Sequence, residues 1–584
     1  MSSKQKLELT WIGKEKRPRL EPRILVEVPE KSYCAKERKG DNDQFENMLI
    51  HGDNLLALKA LEQDFTGKIK CIYIDPPYNT GNAFEHYDDC LEHSIWLGLM
   101  RERLEILSKL LAVDGVILVQ IDKKESAYLK VLMDEVFSRD AFITTIAVRM
   151  SITSGFKIKH SDKTIVKNAE YIHVYSRNLN LKPAYERTEY DSHYSYILRK
   201  IGNMFKMEQL ADQPTVKKEF EKYGIACSAK NLPVLFSISS EFKRFVYENK
   251  DVIGRTHTAP SDALKRKSEL MEILPSTEHV VRITDSYGEI YYIKKTESTL
   301  NQYIPIALKY QMVDSCNDYR EELSNILGDW WDDFYNDMGN VEDEGDVEFN
   351  ASKKPERLIF RILNMFTSSG DLVLDSFLGS GTTAAVAHKM GRRWIGIELG
   401  DHCYTHCLPR LQKVIDGTDQ SGISKFVDWQ GGGGFRFFEL GESLIQKDKW
   451  GQEVINKNFN AEMLAQAVCK LEGFIYAPSK EEYFIHGHST ENDFIFVTTN
   501  FMQAESLKSI SEQVGEKRSL LICCKGFEKA SEFSNLTVKK IPKAVLDKCE
   551  WGHDDYSLNV ANLPMSASIP VQAELFDDIE GDEK

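Results

Sequence analysis

"VLDSFLGSGTTAAVAHKMGRRWIGIEL", residues 373–399, decides the fold. An apolar run ends at Asp375, glycines follow at 379 and 381, and a helical stretch opens at Thr382. A second apolar run then ends at Glu398. A glycine turn between strand and helix lets the backbone come close to a bound cofactor. An acid at the tip of the next strand can accept hydrogen bonds from ribose hydroxyls. Gly379 and Glu398 are nineteen positions apart, near the roughly 20 of a nucleotide pocket. The pattern is neither G-x-G-x-x-G nor a P-loop, since no Lys-Ser/Thr follows the second glycine. That leaves a nucleoside cofactor without a long phosphate tail, such as S-adenosylmethionine. An ordinary strand-to-helix turn is the plainer reading of the same residues.

Working outward, "KPERLIFRILNMFTSSG" ahead of this stretch reads as a helix, and "DHCYTHCLPRLQKVID" behind it as another. Within the latter, the His402/His406 and Cys403/Cys407 pairs have i,i+4 spacing, but no second cluster closes a metal site, so no metal is expected. From Met48 to about Ser176 strands and helices alternate: "NMLIHGD", "NLLALKALEQ", "KIKCIYID", "SIWLGLMRERLEILSKLLAVDG", "VILVQID", "KESAYLKVLMDEVFS", "AEYIHVYSR". The long helix in this series is expected to stop at Asp114-Gly115. This is α/β wiring with a mostly parallel sheet. Residues 177–327 break the rhythm: "YSYILRKIGNMFKMEQLADQ" reads as helix and "DSYGEIYYIKK" as part of a hairpin. "QGGGGF", 430–435, reads as a hinge or edge loop. Beyond it, "DFIFVTTN" and "SLLICCKG" suggest a smaller α/β domain.

The second chemical signal is "IYIDPPYNTGNAF", Ile72–Phe84. Two prolines cannot donate to a sheet ladder, so the strand stops at Asp75. Alone this is a tight turn; beside a methyl-donor pocket it becomes a clamp. The exocyclic amine of adenine or cytosine is a poor nucleophile because its lone pair is delocalised into the ring. Asp75 and the Pro76 carbonyl can accept its two N–H groups, Pro77 stiffens the loop, and Tyr78 can stack on the base. Such a base must leave the duplex.

Taken together, Asp75-Pro76-Pro77-Tyr78 and Asp375-Ser376-Phe377-Leu378-Gly379-Ser380-Gly381-Thr382 resemble the amino-methyltransferases of DNA. The order is that of their permuted (β) class, in which the catalytic motif precedes the cofactor motif. Ser352-Lys353-Lys354-Pro355 resembles the element preceding the cofactor strand in that class. "HGDNLLALKAL", "YIDPPYNTG", "ILVQIDKKESAYLKVLMDEVF" and "AEYIHVYSR" resemble, more narrowly, the modification (Mod) subunit of type III restriction–modification systems. One loop departs from the family: "FSRDAF", Phe137–Phe142, stands where "FG-x-x-N-F" is common. The resemblance implies a Rossmann-like S-adenosylmethionine-dependent methyltransferase fold with circularly permuted motif order. It implies an inserted α+β target-recognition domain, to which a small C-terminal α/β domain is added. The expected boundaries are a basic arm at 1–45, the catalytic half at 46–176, target recognition at 177–327, the cofactor half at 328–429, and a C-terminal domain with acidic tail at 435–584.

The expected cofactor residues are Asp53, Lys354, Pro355, Asp375, Phe377, Gly379, Ser380, Gly381, Thr382 and Glu398. Asp53 reads equally well as a helix N-cap, and Lys354 as a solvated cation. Asp at the head of D-P-P-Y accompanies N6-adenine methylation in the family; cytosine-N4 transfer and a non-catalytic DNA-recognition role are the alternatives. Expected partners are double-stranded DNA, a second Mod copy, and a separate ATP-dependent restriction (Res) subunit, since no motor motif is present here.

Composition is compatible with this. Net charge is −16, yet residues 1–40 hold eleven Lys/Arg against six Asp/Glu. Asp329–Glu348 has nine acids and no base. Basic stretches at 14–19 and 264–267 can hold phosphates, and Trp330 and Trp331 either stack on a base or pack in the core. Eleven scattered cysteines indicate reduced thiols, and no apolar run approaches the roughly 20 residues that span a bilayer. A cytoplasmic location without membrane attachment is the expectation.

Overall fold

The computed structural model of the 584-residue chain describes residues 8–17, 20, 23–40, 43–79, 93–151, 165–258, 279–284, 290–295, 300–316, 318–347, 349, 353–447, 453–456, 461–528 and 533–541. The basic stretch at 264–267, Ser352 and the acidic tail lie outside them. Two compact units are present, Pro183–Gly328 and the remainder.

The larger unit is built on a sheet of eleven strands among the described residues. Its central order is Asn47–His51, Arg393–Glu398, Leu372–Asp375, Ile69–Ile74, Leu111–Ile121, Ala169–Ser176, Phe142–Arg149. The first five run parallel, and Ala169–Ser176 runs antiparallel to both its neighbours. Ile69–Ile74 is apolar on nearly every position and buried on both faces, as a central parallel strand must be. Leu372–Asp375 pairs with it across three hundred residues of chain, Val373 opposite Cys71 and Leu374 opposite Ile72. Helices Asn54–Phe65 and His93–Leu110 cover one face, placing Leu58, Leu61, Trp96, Met100 and Leu107 in the core.

Some expectations change. The helix from His93 stops at Leu110, four residues early, and Leu111 already pairs with Ile69. A Cβ at Gly115 would lie 2.8 Å from the Ile69 carbonyl, so the glycine marks close strand pairing rather than a helix end. "QGGGGF" is no hinge. Gly431, Gly432 and Gly433 all have positive φ and are packed against Gly417, Asp43 and Gln44. They deliver Gly434–Leu440 into the main sheet parallel to Asn47–His51, and Leu25–Glu27 and Tyr33–Cys34 pair with that added strand. "DHCYTHC" is a wide π turn, Cys403–Cys407, that enters the helix Leu408–Asp416 at Pro409, whose nitrogen has no proton to give.

C-terminal to this sheet, Asp493–Met502 and Ser519–Phe527 pair in parallel within a five-stranded sheet, flanked by helices Ala461–Glu472 and Ala504–Val514.

The unit Pro183–Gly328 holds a closed six-stranded barrel. The segment expected as a helix at 194–213 is instead a hairpin, Tyr196–Ile201 paired with Met204–Gln209. Gly202, at φ +58°, makes the turn, and the flanking aromatic and β-branched residues suit strands. His279–Thr284 and Ile290–Lys295 form the hairpin expected around "DSYGEIYYIKK".

A buried ionic hub locks the helix Glu356–Phe366 to the glycine turn. Glu356 meets Lys389 Nζ at 2.8 Å and Arg410 Nη2 at 2.8 Å, all three side chains fully buried. Lys389 also pairs with Asp419 at 2.8 Å. Arg410 Nη1 then donates to Thr382 Oγ1 (2.9 Å) and the Ser380 carbonyl (3.2 Å). Glu344 accepts from the Glu356 amide, and burial together with the Glu356 charge pushes its carboxyl up to about 8. Removing one member of such a network leaves uncompensated buried charge. Glu356→Ala is expected to lower stability by ~3–5 kcal/mol, read as a lower urea midpoint by tryptophan fluorescence; an unchanged midpoint would contradict the hub.

Candidate active site

The carboxyl ends of Ile69–Ile74 and Leu372–Asp375 lie side by side because the strands are parallel neighbours. Open α/β sheets bind ligands at such strand ends, where the crossover direction reverses.

On the Leu372–Asp375 side, Asp375 is buried and accepts from the Phe377 amide (2.9 Å) and Thr383 Oγ1 (2.6 Å). Burial pushes its carboxyl up to about 7 against these two donors. Gly379 and Gly381 have φ of +58° and +84°, where side-chain-bearing residues are strained. Gly381 is the N-cap of Thr382–Lys389. Around Gly379 a Cβ would find nothing closer than 4.0 Å, so the shelf above the turn is open. Phe377 is buried beneath it, and the Ser380 and Thr382 hydroxyls face each other at 3.1 Å. Glu398 does more than tip its strand. Its Oε2 takes the Gly379 amide (2.7 Å), and its Oε1 takes the Leu399 and Gly400 amides and faces His402 Nε2 at 3.0 Å. A ribose would therefore compete with backbone donors for this carboxylate. The Cys407 thiol is spent on the Gly379 carbonyl.

Asp53 is a helix N-cap, taking the Leu55 and Leu56 amides at 3.0 and 3.2 Å. Its neighbour Asn54 donates to the Ser376 carbonyl at 2.7 Å and accepts from the buried Arg103, so this helix start is tied to the glycine turn.

On the Ile69–Ile74 side, the D-P-P-Y loop is braced from several elements. Trp96 Nε1 donates to the Pro77 carbonyl (2.9 Å), and Lys124 donates to the Asn79 carbonyl. Asn79 has φ +54° and donates to Glu125. Thr80–Phe84 lie outside the described residues.

Lys354, grouped by sequence with the cofactor residues, reaches this loop. Its Nζ is 2.7 Å from Asp75 Oδ2 and 5.1 Å from the Tyr78 ring centre. Pro355 follows as the residue that opens the helix Glu356–Phe366. Burial opposes the Lys354 charge, but Asp75 and Glu170 together raise its ammonium above the ordinary range. Glu170 is a site residue that sequence reading missed. It accepts from Tyr78 Oη (2.9 Å) and Gln120 Nε2 (2.6 Å) and stands 3.7 Å from Lys354 Nζ. The available signal was an acid inside the apolar strand "AEYIHVYS".

Two buried polar atoms here have no hydrogen-bond partner, Asp75 Oδ1 and Ser376 Oγ. Such orphans cost free energy unless a ligand satisfies them. One lies just past each strand end, so the unsatisfied atoms, an acceptor and a hydroxyl, flank the paired strand tips.

Trp331 is buried against Phe334 and Arg361, whereas Trp330 is half exposed. The acids around them serve the helix Glu356–Phe366: Asp333 and Asp337 bind Arg357, and Asp333 also binds Arg361.

Sheet order and paired acid-tipped strands define an α/β methyltransferase fold. A family model described as DNA methylase matches residues 69–407. The chain belongs to the DNA methylase family. Relatives include a probable type III restriction–modification enzyme HindVI Mod subunit of Haemophilus influenzae, 38% identical over 430 residues, covering 69% of this chain and 55% of the relative. The EcoPI Mod subunit of Escherichia phage P1 is 28% identical, over 66% of this chain and 62% of that protein. The type II methyltransferase M.KpnI of Klebsiella pneumoniae is 35% identical, over 59% of this chain and 77% of the relative. The chain thus spans less than two thirds of the two Mod subunits.

The raised Asp375 carboxyl has a consequence for stability. Its folded value, about 7, stands above the ordinary ~3.9 of an unfolded aspartate. The folded state binds the proton more tightly, so this contribution is complete below about pH 4 and is lost as pH rises through about 7. Asp375→Asn keeps an acceptor for the Phe377 amide, turns its NH2 toward the Thr383 hydroxyl as donor, and removes the titration. Between pH 5 and 7.5 the variant is expected to lose less stability than wild type, measured by urea unfolding; parallel profiles would refute the assignment.

Proposed function

We propose that this chain is a sequence-specific DNA methyltransferase that moves a methyl group from S-adenosylmethionine to the exocyclic N6 of adenine. The observation that carries this is the pairing of the two strand ends, which sets Asp75 beside the glycine turn, each end holding an unsatisfied buried polar atom. Asp375, Phe377, Gly379, Ser380, Gly381, Thr382 and Glu398 would form the cofactor's shelf, with Asp53 supporting it. Bound there, S-adenosylmethionine supplies an electrophilic methyl group.

The chain's own work is to make a delocalised amine nucleophilic. Asp75 Oδ1 accepts a hydrogen bond from one amine N–H, and the Pro76 carbonyl accepts one from the other, drawing the lone pair out of the ring. Trp96 occupies the Pro77 carbonyl, which keeps the loop rigid and leaves the preceding carbonyl to the substrate. Tyr78, held by Glu170, presents its ring to the base after it has left the duplex. The Asp75 carboxylate, its carboxyl raised by burial, takes the excess proton of the methylated amine and passes it to solvent.

The similarity to Mod subunits supports a modification and DNA-recognition role in a type III restriction–modification system. On this reading the unit Pro183–Gly328 reads the DNA target, two copies act together, an ATP-dependent restriction subunit is the partner, and the setting is cytoplasmic. Among the described residues no helix is long and apolar enough to cross a membrane. The clamp chemistry also suits cytosine N4, and Asp at the head of the motif favours adenine.

The test is transfer from methyl-labelled cofactor to varied duplexes, with nucleoside analysis of the product. N6-methyladenine is expected, and N4-methylcytosine or no product would overturn the assignment. Asp75→Ala should retain cofactor binding and lose transfer by about 10²–10³-fold or more.

A further inference from the structure

Four polar side chains from three segments converge at the D-P-P-Y loop: Asp75, Tyr78, Lys354 and Glu170. Gln120 closes the set, since it donates to Glu170 and accepts from Tyr73 Oη at 2.7 Å. Lys354 lies between two carboxylates, 2.7 Å from Asp75 Oδ2 and 3.7 Å from Glu170 Oε2. The three charged side chains are each less than a fifth exposed, so their mutual fields are weakly screened. The cation touches the very carboxylate that must accept the amine, through the oxygen the amine does not need. A cation held solely by Asp75 would drain its acceptor strength. Glu170 draws on the same cation and limits that loss.

We propose that Glu170 is a positioning residue that shares Lys354 with Asp75 and thereby sets how strongly Asp75 accepts the amine of the base. This rests on the methyl-transfer reading above. The directions agree: burial raises the Asp75 carboxyl, Lys354 lowers it, and Glu170 raises it. The groups facing this cluster are Lys354, Asp75, Tyr78, Tyr73 and Lys167, and Asp75 in turn raises the carboxyl of Asp375 on the neighbouring strand. Lys167 is itself bound to Asp122.

Glu170→Gln keeps an acceptor for Tyr78 but deletes the charge. Single-turnover methyl transfer at saturating cofactor should fall severalfold on its plateau, because Asp75 is then a weaker acceptor. The acid limb should move to lower pH, because Lys354 is then held by Asp75 alone. Lys354→Met should move that limb the opposite way, and adding Glu170→Gln to Lys354→Met should shift it much less than in wild type. A purely structural Glu170 leaves the limb of Glu170→Gln where it is, which overturns the proposal. Should Glu170→Gln fail to fold, an unmoved limb in Lys354→Met overturns it equally.

Titration of Asp75 by carbon-13 carboxyl resonance, assigned with Asp75→Asn, reads the coupling without turnover. If the wild type binds cofactor yet methylates no duplex, the enzymatic reading fails. The resonance shifts then still decide whether Glu170 and Lys354 act on Asp75.

Discussion

Everything in the larger unit depends on one strand pairing, Leu372–Asp375 against Ile69–Ile74. Neither strand carries a complete site. Ile69–Ile74 ends in a stiff loop with an acid and an aromatic ring, and Leu372–Asp375 ends in a left-handed glycine turn. Parallel pairing requires both tips to emerge on the same sheet edge, a few ångströms apart in the hydrogen-bonding direction. An antiparallel pairing would have put them at opposite ends of the sheet.

That geometry is supported from behind by charges that never face solvent. Arg410 fastens Ser380 and Thr382, and Glu356 fastens Arg410 and Lys389. Buried ion pairs add little net stability compared with apolar packing, but they penalise any shift that separates the partners. The glycine turn, lacking side chains of its own at 379 and 381, gains its rigidity from this scaffold. On the other strand end, Trp96, Lys124 and Glu125 serve the same purpose for the D-P-P-Y loop.

Several readings failed for identifiable reasons. Tyr196–Gln209 has apolar residues compatible with either period, and the Gly202 turn that resolves it is one residue in fourteen. The composition of the glycine run at 431–433 suggests a hinge or edge loop, whereas close backbone contact is what excludes side chains there. The contact of Lys354 with Asp75 is not legible from its place in the chain, because a long side chain carries the charge to a loop some 280 positions away in sequence. Glu170 left almost no trace, because one acid in an apolar strand has no spacing partner in the sequence.

The amino-acid sequence by itself determined the local chemistry: proline-stiffened Asp75 and Tyr78, glycines where φ must be positive, and apolar runs that become central strands. These are near-neighbour effects, governed by backbone sterics and side-chain type, and they survive in any context. Tertiary structure alone decided which groups meet. Lys354 between two carboxylates, Asn54 on the Ser376 carbonyl, and Arg410 under the glycine turn join residues tens to hundreds of positions apart. Such contacts follow from sheet order and register, and these are settled by the burial of whole faces rather than by any single stretch of chain.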